Sequence, residues 1–202
     1  MIDFELANKA LEVAKAAYDA PDFSVEKGKR KDDFRIVYDH SERIIWVGIA
    51  GSNDRYDWVD NVFAFRGWFL DTVKAHKRWF KRTQEFSDTL DDIVREYQDY
   101  KVYVCGHSYG GAVAQNWTLL NNRVTACITF NSPKPWGKFK DGATELLMRE
   151  KCYHFINDGD KVPSVPFRNR CFGREYRRDI SRFGLEHTYW NGLKKIITWY
   201  FG

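Results

Sequence analysis

The stretch Lys101 to Ala114, KVYVCGHSYGGAVA, constrains this chain more than any other. Val102, Tyr103, Val104 and Cys105 form a short apolar run. Small, turn-forming residues follow, and Ala112, Val113, Ala114 and Trp117 then open a helical pattern. The order is strand, sharp turn, helix. The turn reads Gly106-His107-Ser108-Tyr109-Gly110, the Gly-x-Ser-x-Gly arrangement of a nucleophile elbow. A serine on so tight a turn takes a strained backbone and projects its hydroxyl above the sheet edge. Glycines on either side let strand and helix close around it, and the N–H groups that head the helix favour negative charge there. A bare pentapeptide of this kind reads as an ordinary turn. The buried strand before it, the helix after it and the continuing small surface of Gly111-Ala112 select the elbow.

Such an elbow needs a sheet around it, and the rest of the chain supplies one. Phe4, Ala7, Leu11, Ala14 and Tyr18 recur at helical spacing, and Pro21 ends the pattern. Val25 to Asp33 reads as a basic, solvated turn. Phe34–Tyr38 and Arg43–Ala50 read as a hairpin about Asp39-His40-Ser41, the second strand being apolar enough to be buried on both faces. Gly51-Ser52-Asn53-Asp54 is a loop, and an aromatic-rich segment follows. A long helix is expected from about Asp71 to Tyr97. After the elbow come a strand at Val124–Phe130, a helix at Glu145–Glu150 and a strand at Cys152–Ile156. One or two polar strands are expected within Arg170–Ile180, and a closing amphipathic helix at Tyr189–Phe201. Apolar strands alternating with helices imply an α/β domain with a mostly parallel sheet. Ligands of such sheets bind beyond the carboxyl ends of the strands. Ser52, Ser108, Asn131 and Asp160 all follow strand ends, so they are expected at one edge.

With 202 residues the chain suits a single domain, 1–202, and 44% hydrophobic content is ample for a core. A net charge of +4 is explained by a solvated surface, so no nucleic-acid partner is inferred. Cys105, Cys127 and Cys152 sit in apolar, strand-like runs, and with Cys171 they fit no zinc spacing. Reduced thiols suit a cytoplasmic setting. The first twenty residues carry Asp3, Glu5, Lys9, Glu12 and Lys15, so no signal peptide is expected. No run of about eighteen apolar residues occurs, so no transmembrane segment is expected either.

A serine nucleophile needs a base, and the base an acid to orient it. Elbow-type hydrolases order these Ser, acid, His along the chain. Of the five histidines, His40, His76 and His107 precede Ser108. His154 lies in mid-strand, where a core histidine is expected. His187 remains, in a polar stretch before the last helix. For the acid, Asp158 and Asp160 both sit in a loop after a strand, and spacing does not choose between them.

Several ordered segments together resemble the class 3 lipases, the fungal triacylglycerol lipase type. GHSYGGA is similar to their GHS-x-GGA elbow, ITFNSPKPWG to a TFG-x-PR-x-G segment, and FINDGDKVPSVPF to VN-x-x-D-x-VP-x-xP. IAGSNDRYDWVDNV resembles the FRG-[ST] segment with its following Trp and Asp, AHKRWF a VH-x-GF segment, and His187 precedes a Tyr-Trp pair. The likeness runs from about Ile45 to Trp190. Ala50, Tyr109 and Asn131 stand where the family has arginine, leucine and glycine.

The resemblance implies the α/β-hydrolase fold and aligns Asp160 with the triad acid. It places Ser52 at the oxyanion-hole position, with the backbone N–H of Tyr109, and Trp58 at the start of a lid. Trp58, Phe63, Phe65 and Trp68, in the lid-like stretch of about 53–70, would then meet substrate or pack in the core. The expected activity is a serine ester hydrolase acting on lipid esters or small esters through Ser108, Asp160 and His187, without metal or cofactor. Phospholipase A1, thioesterase or acyltransferase chemistry would use the same triad, and a lipid-binding module on a hydrolase scaffold is the non-enzymatic alternative. Arg168, Arg170, Arg174, Arg177, Arg178 and Arg182 crowd the segment before His187. They are either a solvated strand face or a surface for transient contact with an anionic lipid interface.

Overall fold

The computed structural model describes residues 2–27, 30–51, 67–69, 73–166, 169–179 and 189–201. Helix α1 (Phe4–Asp19) opens it, capped by Asp3, whose carboxylate accepts from the Leu6 N–H at 2.9 Å. Three strands follow in an antiparallel meander: β1 (Phe23–Lys27), β2 (Arg30–Asp39) and β3 (Ile44–Ile49). The basic turn expected over Val25–Asp33 is thus mostly strand. Lys27 pairs with Arg30, and Phe23 stacks on Phe34 with ring centroids 4.9 Å apart. Charged residues suit β1 because it is an edge strand.

Strands β4 (Gly67–Phe69) and β5 (Val73–His76) belong to a separate small sheet. Trp68, expected in a lid-like segment, therefore lies on a strand, paired with Ala75. The rest of that segment falls outside the described residues, Trp58, Phe63 and Phe65 included. The helix expected from Asp71 begins later, as α2 (Lys77–Arg95). Val73 and Ala75 are buried while Lys74 between them is half-buried, which is strand alternation. The helical spacing starts only with Trp79, Thr83, Phe86, Leu90 and Val94, all buried.

Strand β6 (Lys101–His107) leads through the elbow into α3 (Tyr109–Leu120), as expected. Then come β7 (Val124–Phe130), β8 (Trp136–Phe139), α4 (Gly142–Lys151) and β9 (Cys152–Asn157). A short 3₁₀ turn (Val162–Ser164), β10 (Arg174–Arg178) and α5 (Tyr189–Phe201) complete the described chain. The main sheet has seven strands in the order β1-β2-β3-β6-β7-β9-β10, and from β3 to β10 neighbours are parallel. Strand β8, absent from the sequence reading, completes the small sheet beside β5. The four cysteines are free thiols, three of them buried on β6, β7 and β9.

Period-two alternation sorts the core into two layers. Ile45, Val47, Ile49, Val102 and Val104 face α2 and α3, against Phe86, Leu90, Val113 and Trp117. Trp46, Tyr103, Cys105, Ile128 and Phe155 face the opposite way, against Ala7, Ala14, Leu193 and Ile197 of α1 and α5. Among the described residues no helix is long and apolar enough to cross a membrane.

One polar contact locks the helix that follows the elbow. Asp91 on α2 accepts from the indole N–H of Trp117 at 2.9 Å and from the Asn121 amide at 2.6 Å. Trp117 is fully buried, so removing its acceptor strands a donor. Asp91→Ala is expected to destabilise the fold by about 1–3 kcal/mol, read as a lowered denaturation midpoint at unchanged slope. An unmoved midpoint would show that this contact holds nothing.

Candidate active site

The sheet delivers three loops to one edge. β6, β7 and β9 are adjacent and parallel, so the residues following them emerge at the same carboxyl end. These are Ser108, Asn131 and the Asp158–Asp160 turn. Ser108 and Asp160 stand two inter-strand spacings apart, roughly 10 Å, a gap that one imidazole with its two hydrogen bonds bridges.

Ser108 has φ 53 and ψ −127, a conformation that costs a non-glycine residue of order 1–3 kcal/mol. It sits at the N-cap of α3, yet its side chain makes no cap hydrogen bond. The hydroxyl is therefore not engaged in the role serine usually takes at that position. Backbone bonds hold the turn: the Ser108 N–H donates to Phe130 O and the Gly111 N–H to Ser108 O, both at 2.9 Å. Close approach explains the flanking glycines. A Cβ on Gly106 would lie 2.5 Å from the Gly110 carbonyl, and one on Gly110 would lie 2.2 Å from Ile49 O. Tyr109 is the first residue of α3, its ring edge-on to Trp79 at 6.5 Å.

The acid turn separates its two aspartates. Asp158 is exposed and accepts from the Arg177 guanidinium at 2.9 Å. Asp160 is half-buried; its N–H donates to Asn157 O at 3.0 Å and its Oδ1 accepts from the Val162 N–H at 2.9 Å. Of the arginine-rich segment, Arg177 also pairs with Glu175 at 2.6 Å, while Arg174 and Arg178 lie over the rings of Tyr153 and Trp199. Arg168 and Arg182 lie outside the described residues, as do Ser52 and His187. Two positions near them, Gly51 and Trp190, are described. Gly51, which precedes Ser52, is close enough to the elbow that a Cβ on it would lie 3.4 Å from Ser108 Cβ. Trp190, three positions after His187, meets the His107 ring at 5.1 Å.

Two further residues shape the site. Asn131 is fully buried with φ 46, a backbone that asparagine tolerates better than most residues. Its Oδ1 accepts from the Asn157 N–H at 2.7 Å and its own N–H donates to Phe155 O at 2.9 Å. It thereby clips the end of β7 to the start of the acid turn, a role that glycine could not fill. His107, set aside by chain order, is half-buried beside the elbow, and desolvation pushes its pKa down to about 3. His154 is a core histidine as expected, bonded to Thr129 Oγ1 at 2.7 Å and to Phe172 O at 3.1 Å.

Comparison with known proteins gives the family and the fold. A family model described as Lipase (class 3) matches residues 46–170, more than half of the chain. Among solved structures, the Yarrowia lipolytica LIP2 lipase superposes with TM-score 0.71 at 17% identity, over 87% of this chain and 79% of that one. A lipase from Rhizopus microsporus var. chinensis gives 0.69 at 17%, over 86% and 74%. A triacylglycerol lipase whose catalytic centre is described as a serine protease triad gives 0.63 at 22%, over 79% and 67%. At these identities the likeness speaks for the fold, and the fold is the α/β-hydrolase arrangement expected.

The Asn131 clip separates backbone strain from hydrogen bonding. Asn131→Gly keeps the backbone and loses the acceptor, at an expected cost of about 1–2 kcal/mol. Asn131→Ala adds the positive φ and should cost about 1 kcal/mol more. Chemical denaturation of both variants reads the order, and equal midpoints would remove the strain argument.

Proposed function

Because the chain belongs to the class 3 lipase family, a family of carboxylic ester hydrolases, we propose that Ser108, His187 and Asp160 are its triad and that a lipid carboxylic ester is its substrate. One observation carries the assignment: Ser108 is held in a strained turn at the head of α3, with Asp160 two strands away on the same sheet edge. The triacylglycerol lipase described above as having a serine protease triad supports the same chemistry. Ser108 Oγ attacks the acyl carbonyl while His187 takes its proton. The imidazolium, oriented and stabilised by the Asp160 carboxylate, then protonates the departing alcohol. Water repeats the sequence on the acyl-enzyme. The oxyanion is received by the backbone N–H groups of Tyr109 and Ser52, with the positive end of α3 behind the first.

Asp160 is favoured over Asp158 as the acid because Asp158 faces solvent and is engaged by Arg177. A neutral acylglycerol is favoured over an anionic phospholipid by the same contact. Arg177, within that segment, is already paired with Asp158 and Glu175.

Steady-state hydrolysis of p-nitrophenyl butyrate tests the triad. Ser108→Ala should lower kcat on the order of a millionfold. Asp160→Asn should lose about 10⁴ through the wrong imidazole tautomer. Asp158→Asn should stay within about threefold of wild type, since an exposed pair is worth at most about 1 kcal/mol. Equal losses at the two aspartates, or the reverse order, would overturn the choice of acid. For the substrate class, tributyrin emulsions should be turned over faster than anionic phospholipid vesicles; the opposite preference would favour a phospholipase.

A further inference from the structure

Alternation along β6 turns His107 towards α1, the same side as Tyr103 and Cys105. There it meets Tyr18, in the last turn of α1. The Tyr18 hydroxyl lies 2.8 Å from His107 Nδ1 and 3.4 Å from His107 O. It also takes a backbone hydrogen bond from Gly51. The contact is tight: a Cβ on Gly51 would lie 2.3 Å from the phenol oxygen and 2.9 Å from His107 O. Trp190 closes the group, with its ring 5.9 Å from Tyr18 and 5.1 Å from His107.

The β3–β6 ladder explains why a brace matters here. Its last pair is Ile49 with Gly106, and Ala50 then turns aside, its N–H donating to Asp33 O at 3.0 Å. Among the described residues, Gly51 is not paired with the elbow residues Ser108 and Tyr109 in that ladder. The Tyr18 hydroxyl crosses that gap. It takes a backbone hydrogen bond from Gly51 and lies within hydrogen-bond distance of His107 Nδ1. Desolvation keeps His107 neutral, so its ring nitrogen can accept.

We propose that Tyr18 is a positioning residue that sets the distance between the two halves of the oxyanion hole by bonding Gly51 on one side and His107 on the other. The inference rests on the triad and oxyanion reading above. An oxyanion hole stabilises charge that develops only in the transition state, so a displaced donor lowers kcat and leaves KM nearly unchanged. A residue that merely stabilised the fold would lower the yield of active protein but not the turnover of each active site.

The test is Tyr18→Phe, which keeps the ring against His107 and Trp190 and removes only the hydroxyl. Active sites are titrated to completion with a fluorophosphonate, and kcat and KM for p-nitrophenyl butyrate are expressed per titrated site. The expected result is an about tenfold loss of kcat, one hydrogen bond's worth, at a KM within about twofold of wild type. In a His107→Phe background the same substitution should change kcat by less than about twofold, because the imidazole end of the bridge is already gone and Gly51 is no longer tied to the elbow through it. Should Tyr18→Phe not fold, His107→Phe alone carries the expectation of the same kcat loss at unchanged KM. Unchanged kcat per titrated site in either variant, or a loss confined to KM, overturns the proposal. A wild-type protein that takes up no fluorophosphonate would instead overturn the triad reading.

Discussion

The backbone of Ser108 is the constraint on which the rest of the structure depends. A serine at φ 53 and ψ −127 is stable only if its surroundings compensate for the strain. Strand β6 and helix α3 must approach until the Gly106 and Gly110 backbones touch, and α3 must lie directly over the carbonyls at the end of β3. That approach is held by the packed layer of Ile49, Val104, Val113 and Trp117, and by the Asp91 contact behind it. The strain holds the Ser108 side chain out of the helix-capping role and at the sheet edge.

Both sides of the sheet contribute to the site. The α2–α3 layer presses the elbow into shape. The α1–α5 layer places Tyr18 and Trp190 beneath it, against His107. Between Ser108 and Asp160, Asn131 ties β7 to β9, so the Asp158–Asp160 turn is anchored to the same edge as Ser108. The candidate site therefore rests on contacts that are far apart in sequence and adjacent only through the strand order.

Legibility followed the range of the interactions. The elbow, the buried strand Ile44–Ile49 and the helix Phe4–Asp19 were readable because period and small-residue spacing are local signals. β1 was missed because its lysine and glutamate look like a loop until a partner strand pairs with them. Val73–His76 was absorbed into the helix that follows, since its apolar residues continue a plausible stripe. The four-residue strand Trp136–Phe139 exists only because β5 lies beside it. At the site, chain order sets His107 aside as the base and carries no signal of its contact with Tyr18. Tyr18 itself reads as part of a helical stripe. Asn131 stands where the family has glycine, but its hydrogen bond to Asn157 is a cross-strand contact with no sequence signal.

If the strained elbow makes Ser108 the nucleophile, a reagent that demands an activated serine should find that residue alone. Peptide mass mapping after reaction with a fluorophosphonate reads this directly. The account predicts a single phosphonylated peptide, the one containing Ser108, with the adduct on the serine side chain. An adduct on Ser132, Ser164 or any other serine, or no adduct in the folded protein, would contradict it.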